Sequence, residues 1–405
     1  MKARGLTVND LKHAIDKYNT FGYRLFMDTP AFRGLLALRN RSFRKKLLLV
    51  NLRDSAMSAH LERAFARAAA AHGATALDVF HSFEHDYGLG PAGGAAGFRI
   101  KYSGMDNLRA FSGLTAYSAV ILVDLPYRDE DLPAWLWFAL RAPGAKHFIA
   151  NDILMPPGHI FAMDVAEKLG VFSAFSTAAL VDQHSRAQWG RFGRPGRFLE
   201  RPLAVDCDYY APAGAGAGDY VFSFGRADRD YAPLMAAART FPKGLKLKIC
   251  TDLPVRVPKI LAGRVAIITQ PVGPEKMKEF IAGAALVALP VRPTAPNPGA
   301  GLTAALLSMA MGKLTITCGD PVVTRYLSDG KDSFLYRGLT PAALSACVRR
   351  SLALTPAGRA AVSAAARRTV LRRFDMNAFA AGHLATLLGH EPAERRRDSI
   401  VKLHL

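Results

Sequence analysis

Gly299, Gly301 and Thr303 open the run GAGLTAALLSMAMGKLTITCGD, residues 299–320. Glycines let a ligand approach bare backbone. A helix starting near Thr303 presents unpaired N–H groups and a partial positive charge, which suit a phosphate. The competing role is structural: small side chains let such a helix pack closely on a sheet. Gly312 is placed to end the helix in a left-handed cap. Residues 314–318 form a short apolar, β-branched run typical of buried parallel strands. Two more segments can join this loop. Gly225-Arg226-Ala227-Asp228-Arg229 follows an apolar run at 220–224, and Gly319-Asp320 follows the strand after the helix. Ligands of open parallel sheets gather at the carboxyl ends of the strands. If the three segments converge there, Arg226 and Arg229 face a helix start across a glycine floor. That is a diphosphate site, with forked donors from arginine and N–H groups from the helix. The alternative for both arginines is surface pairing with Asp228 or Asp230, and Asp230 reads as a helix cap.

The elements that must position these residues alternate. Strands are expected at 46–52, 76–80, 119–126, 147–154 and near 171–175, with helices at 55–72, 132–140 and 159–169 between them. The second half repeats the pattern. Strands at 220–224, 245–250, 265–269, 286–290 and 314–318 are separated by helices at 231–240, 274–283 and 303–311. Helices at 340–353 and 357–388 follow. Such alternation means βα units and parallel sheets. The tract APAGAGAG, residues 211–218, lacks side chains to pack and reads as a linker. The division expected is a basic leader at 1–44, a first domain at 45–205, a linker at 206–219, a second domain at 220–375, and a C-terminal helix and tail at 376–405. His81 and His85 lie four apart in a Gly-rich loop and read as surface histidines rather than metal ligands.

The 405 residues suffice for two domains, each burying its own core. Four scattered cysteines have no metal or redox spacing and read as buried free thiols. No apolar run is long enough to span a membrane, and the polar N-terminus does not read as a secretory signal. The net charge of +20 attracts polyanions: nucleic acid, an anionic membrane face or phosphorylated small molecules. Basic runs interleaved with aromatics are missing, which argues against nucleic acid. Within the leader, Phe32, Leu35, Leu36, Leu38 and Phe43 alternate with arginines and lysines. That stripe could lie on an anionic membrane or pack on its own domain.

Several passages resemble the family 4 retaining glycosyltransferases. LAVDCDYYAP (203–212) resembles the segment before that family's interdomain linker. FSFGRADRDYAPLMAAA resembles the opening strand, Gly-Arg turn and helix of its donor domain, and EKMKEFIAGAALVALPV the helix and strand before its donor loop. GAGLTAALLSMAMGKLTITCGDPVVTRYLSDGKDSFLY resembles the donor helix with its following strand and turn. The likeness runs from about residue 200 to 375. It implies a GT-B fold, an α/β architecture of two Rossmann-like domains with parallel sheets facing a central cleft. It implies transfer of a sugar from a nucleotide-sugar donor to a polysaccharide or lipid-linked glycan, with retention and without a metal or other cofactor. The donor would bind the second domain through Gly225, Arg226, Gly299, Gly301, Thr303 and Asp320, with the acceptor mainly on the first. The implied location is cytoplasmic, peripheral to the inner membrane face.

Four positions depart from the family pattern. The family's second cation, usually lysine, falls on Tyr231, and Arg229 is the substitute at hand. Its two glutamates fall on Gly299 and Leu307, whose side chains accept no hydrogen bond. The family's first-domain histidine falls on Asp124, which could take a proton or bind a sugar hydroxyl, or could cap the following helix or turn. Asp152, ending the next strand, is a second catalytic candidate. These departures motivate an alternative function: a catalytically impaired scaffold or nucleotide-binding protein in a glycan-assembly complex.

Overall fold

The computed structural model describes residues 46–52, 56–72, 76–81, 118–126, 132–140, 145–150, 160–181, 186–187, 189–201, 203–212, 218–269, 272–292 and 299–387. The leader, His85, most of the glycine tract and the tail lie outside the described residues. Two compact units divide the chain. The second is Leu203–Met376, and the chain returns to the first at Asn377. The last helix therefore belongs with the first unit, where the sequence pattern set it apart from 376 onward.

The first unit holds strands β1 (Lys46–Asn51), β2 (Ala76–His81), β3 (Ala119–Val123), β4 (Ala145–Ile149), β5 (Thr177–Leu180) and β6 (Phe198–Glu200). They pair in the order β2-β1-β3-β4-β5-β6, every pair parallel. Helices α1 (Ala56–Ala71), α2 (Leu132–Leu140) and α3 (Ile160–Lys168) lie between strands in the chain. Helix α2, LPAWLWFAL, places Trp135 and Phe138 in the core with Phe148 of β4. Residues 171–175 are not a strand. Val171–Ala174 is one turn of 3-10 helix entered through Gly170 in the left-handed region, and the strand comes later, at β5. The cause is packing: Phe172 and Phe175, three apart, both reach the aromatic cluster of Phe148 and Trp189, which extended backbone would not allow.

The last helix, α9 (Met376–Leu387), enters this unit through His383, whose ring is buried between Phe65 and Phe379. His147 on β4 is also buried, with Nδ1 2.7 Å from the Thr177 hydroxyl. Burial holds the His147 imidazole down at about 4. His383 is held at about 3, first by burial and then by Arg201 and His147. Both rings are neutral in the folded state, and the unfolded chain binds their protons first. Stability is thus full above the ordinary histidine pKa near 6.5 and drains as pH falls from there toward 4. For His147 alone the loss is roughly 3 kcal/mol. Melting temperature measured against pH should fall over that window, and His147→Gln should flatten the fall relative to wild type. Parallel curves would contradict this.

The second unit holds β7 (Tyr220–Phe224), β8 (Lys246–Thr251), β9 (Val265–Thr269), β10 (Leu286–Ala288), β11 (Thr315–Cys318) and β12 (Phe334–Tyr336). Their order, β9-β8-β7-β10-β11-β12, is the 3-2-1-4-5-6 order of dinucleotide-binding sheets, all parallel. Helices α4 (Ala232–Ala238), α5 (Pro274–Ala282), α6 (Leu302–Ala310), α7 (Pro341–Leu352) and α8 (Pro356–Arg373) complete it. Thr340 and Thr355 cap α7 and α8 by accepting the Ala343 and Gly358 amides. The single helix expected over 357–388 is in fact α8 and α9. The break falls where the Val205 amide donates to the Phe374 carbonyl and the Met376 amide donates to the Val205 carbonyl. An incoming strand-like segment takes the backbone groups that a continuous helix would need. All four cysteines are free and buried. Among the described residues no helix is long and apolar enough to cross a membrane.

Candidate functional site

The order of the second sheet reverses between β7 and β10, and the ligand crevice of such a sheet opens at that point. Both strands end in loops that meet there. Asp230 donates its amide to the Pro290 carbonyl, Arg292 donates to the Asp228 carbonyl, and Arg229 bridges Val291. Asp228 adopts φ +50, a left-handed turn that aspartate tolerates. The turn carries Arg229 back over the end of its own strand.

The Arg229 guanidinium is the centre of this arrangement. Its Nε donates to the Phe224 carbonyl at 3.2 Å and its Nη1 to the Ala227 carbonyl at 2.9 Å. Two of five donors are thereby used. No carboxylate forms a close ion pair with it among the described residues, Asp228 acting on it only through a weaker charge interaction, and the remaining three donors have no hydrogen-bond partner there. Desolvation pushes its pKa down, although a guanidinium keeps its proton. Two glycines make room for it. A Cβ on Gly225, at φ +106, would stand 3.0 Å from Nη2, and a Cβ on Gly301, at φ +84, would stand 3.1 Å from Nη1. The first turn and the helix loop therefore converge on one cation.

Gly301 also begins α6, with no side-chain cap. The Leu302 amide donates to the Gly299 carbonyl and the Ala305 amide to the Gly301 carbonyl. The amides between them, of Thr303 and Ala304, have no partner among the described residues. They are the pair of donors a helix start offers to an anion. Thr303 is half-buried at this turn. Gly312, at φ +68, closes the helix as expected, with the Lys313 amide bonded to the Ser308 carbonyl.

A layer of hydroxyls fixes this floor. Tyr231 donates to the Gly225 carbonyl at 2.6 Å, and Thr251 donates to the same oxygen at 3.0 Å. Burial pushes the Tyr231 phenol up to about 12, so it stays a donor. Tyr336, at the end of β12, accepts the Val291 amide at 2.6 Å and lies within 2.9 Å of the Leu289 and Val291 carbonyls. Burial drives its pKa upward as well.

In the first unit the corresponding reversal lies between β1 and β3. Asp124 follows β3 there, buried, with φ +51. Its amide donates to the Ile149 carbonyl, and its own carbonyl accepts the Trp135 indole N–H at 2.9 Å. The tie to α2 thus runs through the main chain of Asp124. A non-glycine residue in the left-handed region is uncommon, although aspartate tolerates it, and such conformations cluster at functional sites. Asn51, ending β1 alongside, donates to the Ser58 carbonyl and to Glu62. Asp152 lies outside the described residues, and β4 ends at Ile149 rather than running on to 154.

No protein-family model matches the chain, and no curated protein matches it significantly in sequence. Solved structures do match in shape. HepE from Anabaena, in complex with UDP and glucose, superposes with a TM-score of 0.60 at 14% identity, covering 86% of this chain and 100% of its own. Sucrose-phosphate synthase from Thermosynechococcus elongatus gives 0.60 at 15% identity over 86% and 100%. WaaG, a glycosyltransferase involved in lipopolysaccharide biosynthesis, gives 0.54 at 14% identity over 85% and 100%. Together with two six-stranded parallel sheets, these likenesses decide the architecture. The chain has the GT-B fold.

On this GT-B frame the residues singled out from the sequence separate into two groups. Gly225, Arg229, Gly299, Gly301 and Thr303 gather at the switch point of the second sheet. Arg226 is exposed, and its Nη1 pairs with Asp252 at 3.1 Å. Asp230 accepts the Ala232 amide at the start of α4, the capping role expected of it, and also pairs with Arg292. Asp320 turns Oδ1 onto the Val322 and Val323 amides, at 2.8 and 2.9 Å, so that oxygen caps its own turn. Its Oδ2 is buried without a partner. Leu307 is buried on α6. Tyr336 and Thr251 escaped the sequence pattern. Tyr336 ends the passage that resembles the family's donor helix and turn but was given no role there, and the two hydroxyls act through contacts with residues 45 and 26 positions away.

Proposed function

We propose that this GT-B protein is a glycosyltransferase whose nucleotide-sugar donor binds by its diphosphate at the switch point of the second sheet. Arg229 carries the proposal. Among the described residues it is a half-buried cation with three uncommitted donors and no close ion pair, set beside two helix amides without a partner. An anion with several acceptor oxygens satisfies all of them at once. As the bond from anomeric carbon to phosphate breaks, negative charge grows on the departing diphosphate. Arg229 and the Thr303 and Ala304 amides stabilise that charge without moving. Arg226, beside them in the chain, joins on giving up Asp252. The positive charge already in place does the work a metal would do, and we include metal independence in the proposal. HepE, which shares the fold, is known in complex with UDP and with UDP-glucose, and this supports a nucleotide sugar as donor.

Retention of anomeric configuration, a polysaccharide or lipid-linked glycan as acceptor, and action at the cytoplasmic face of a membrane belong to the same proposal. They rest on the family resemblance. We assign Asp124 of the first unit to taking the acceptor proton or orienting a hydroxyl, on the same resemblance. Asp124→Asn keeps a side chain that tolerates the left-handed backbone. It should lower turnover by about 100-fold or more if the carboxylate takes the proton, with little change in melting temperature. Turnover within a few-fold of wild type would remove Asp124 from catalysis.

The direct test offers UDP-, GDP-, ADP- and TDP-sugars and follows nucleoside diphosphate release. The expected result is release from donors of one base, abolished in Arg229→Met. A second function is favoured by Gly299 and Leu307, which stand where the resembled family carries its glutamates. A buried leucine at 307 offers no acceptor to a ribose or sugar hydroxyl. A protein of that kind binds the nucleotide and releases nothing.

A further inference from the structure

We propose that the β9 corner of the second unit is a docking surface for an anionic lipid bilayer. Strand β9 is an edge of the second sheet, paired only with β8 among the described residues. Its sequence, VAIIT, carries no charge, and none of its five residues is fully buried. Ile267 is 37% exposed, and Ile260, in the 3-10 turn Lys259–Leu261 just before the strand, is 76% exposed. Among the described residues only Leu371 joins them as an exposed large apolar side chain. A single exposed isoleucine is ordinary on a protein surface, and its meaning here comes from the charges around it.

The surroundings of Ile260 are strongly basic. Residues 239–269 contain seven cations (Arg239, Lys243, Lys246, Lys248, Arg256, Lys259 and Arg264) and one acid, Asp252. Asp252 is engaged with Arg226 at the opposite, carboxyl end of β8, and Lys246 pairs with Asp219. Arg264 donates to the Phe241, Pro242 and Leu245 carbonyls, which ties the turn holding Lys243 to the turn holding Lys259 and Ile260. Lys243, Lys246, Lys259 and Ile260 therefore gather at the amino ends of β8 and β9. An apolar tip ringed by exposed lysines matches the interface of an anionic membrane. The isoleucine enters the boundary layer while the ammonium groups meet lipid phosphates. A second copy of the chain fits poorly, because two such corners repel. An acidic strand adding to the edge would use β9 but leave Ile260 bare. The corner lies at the far end of the strands from the diphosphate site, so this inference stands apart from the donor assignment.

Co-sedimentation of the full chain with vesicles tests it. Vesicles of phosphatidylcholine alone are compared with vesicles containing about one third phosphatidylserine. The expected result is binding to the anionic vesicles only, weakened at least about tenfold by raising the salt from about 0.1 to 0.5 M. Ile260→Glu and, separately, Lys243→Glu with Lys259→Glu should each lower binding about tenfold or more. Their melting temperatures and nucleotide-induced shifts should match wild type. Full binding by both variants would move the surface elsewhere on the chain and overturn the proposal, as would equal binding to neutral vesicles. Failure to bind either vesicle, or a dimer dissolved by Ile267→Lys, would also overturn it, the latter by making β9 a protein interface.

Discussion

Arg229→Met is expected to lower affinity for a nucleoside diphosphate by about 100-fold or more. The side chain holds two carbonyls of its own loop and keeps three donors for a ligand. Two charge-assisted hydrogen bonds to phosphate are worth roughly 1.5–3 kcal/mol each. Their loss corresponds to at least two decades in dissociation constant. Arg229→Lys should not restore binding, because an ammonium cannot hold Phe224 and Ala227 and still face a phosphate with paired donors. The substitution also strands two carbonyl acceptors, so the melting temperature should fall as well. Titration calorimetry well below the melting range separates the two effects. Arg226→Ala provides the contrast. Arg226 is exposed and makes a surface pair with Asp252, of a kind worth at most about 1 kcal/mol, so fold stability should barely change. Affinity near wild type in Arg229→Met would show that the anion sits elsewhere.

Gly301→Ala should damage both fold and site. At φ +84 an alanine is strained, and its Cβ would stand 2.6 Å from Val291 Cγ2 and 3.1 Å from Arg229 Nη1. Conformational strain of about 1–3 kcal/mol and overpacking of about 1–3 kcal/mol together predict a loss of roughly 2–6 kcal/mol. Arg229 must also shift, so nucleotide affinity drops with stability. Gly312→Ala is the control at the other end of α6. Its φ is +68, but the nearest atom to a new Cβ is Pro212 Cγ at 3.8 Å. It should cost only the conformational part and leave binding intact. Urea denaturation of the two variants makes the comparison, and equal losses would show that the contact with Val291 and Arg229 is unimportant.

These two residues show what was legible in the sequence. The turn after β7 and the glycine entry to α6 could be read because strand, glycine and helix start are local features with local causes. Their convergence could be anticipated because a parallel sheet brings the carboxyl ends of its strands together. Which arginine lies inside could not. Arg226 and Arg229 are three residues apart on one turn, and the choice depends on φ +50 at Asp228 and the bridge to Val291. Tyr336 was invisible for a similar reason, since its hydroxyl meets a loop 45 residues earlier in the chain. The break between α8 and α9 has no glycine or proline to mark it. A segment 170 residues away imposes it through Val205. Residues 171–175 look like a strand because they are apolar, yet the spacing of Phe172 and Phe175 serves an aromatic cluster that only the folded unit assembles.

The switch point of the second sheet is expected to bind a nucleoside diphosphate through Arg229. A thermal-shift panel of the full chain against UDP, GDP, ADP, TDP and CMP tests it most directly. A ligand at about 100 times its dissociation constant stabilises the fold by about 2.7 kcal/mol, a shift of several degrees. Such a shift is expected with one of the diphosphates, strongly reduced in Arg229→Met. A flat response of wild type to every diphosphate, or an equal shift in the variant, would contradict it.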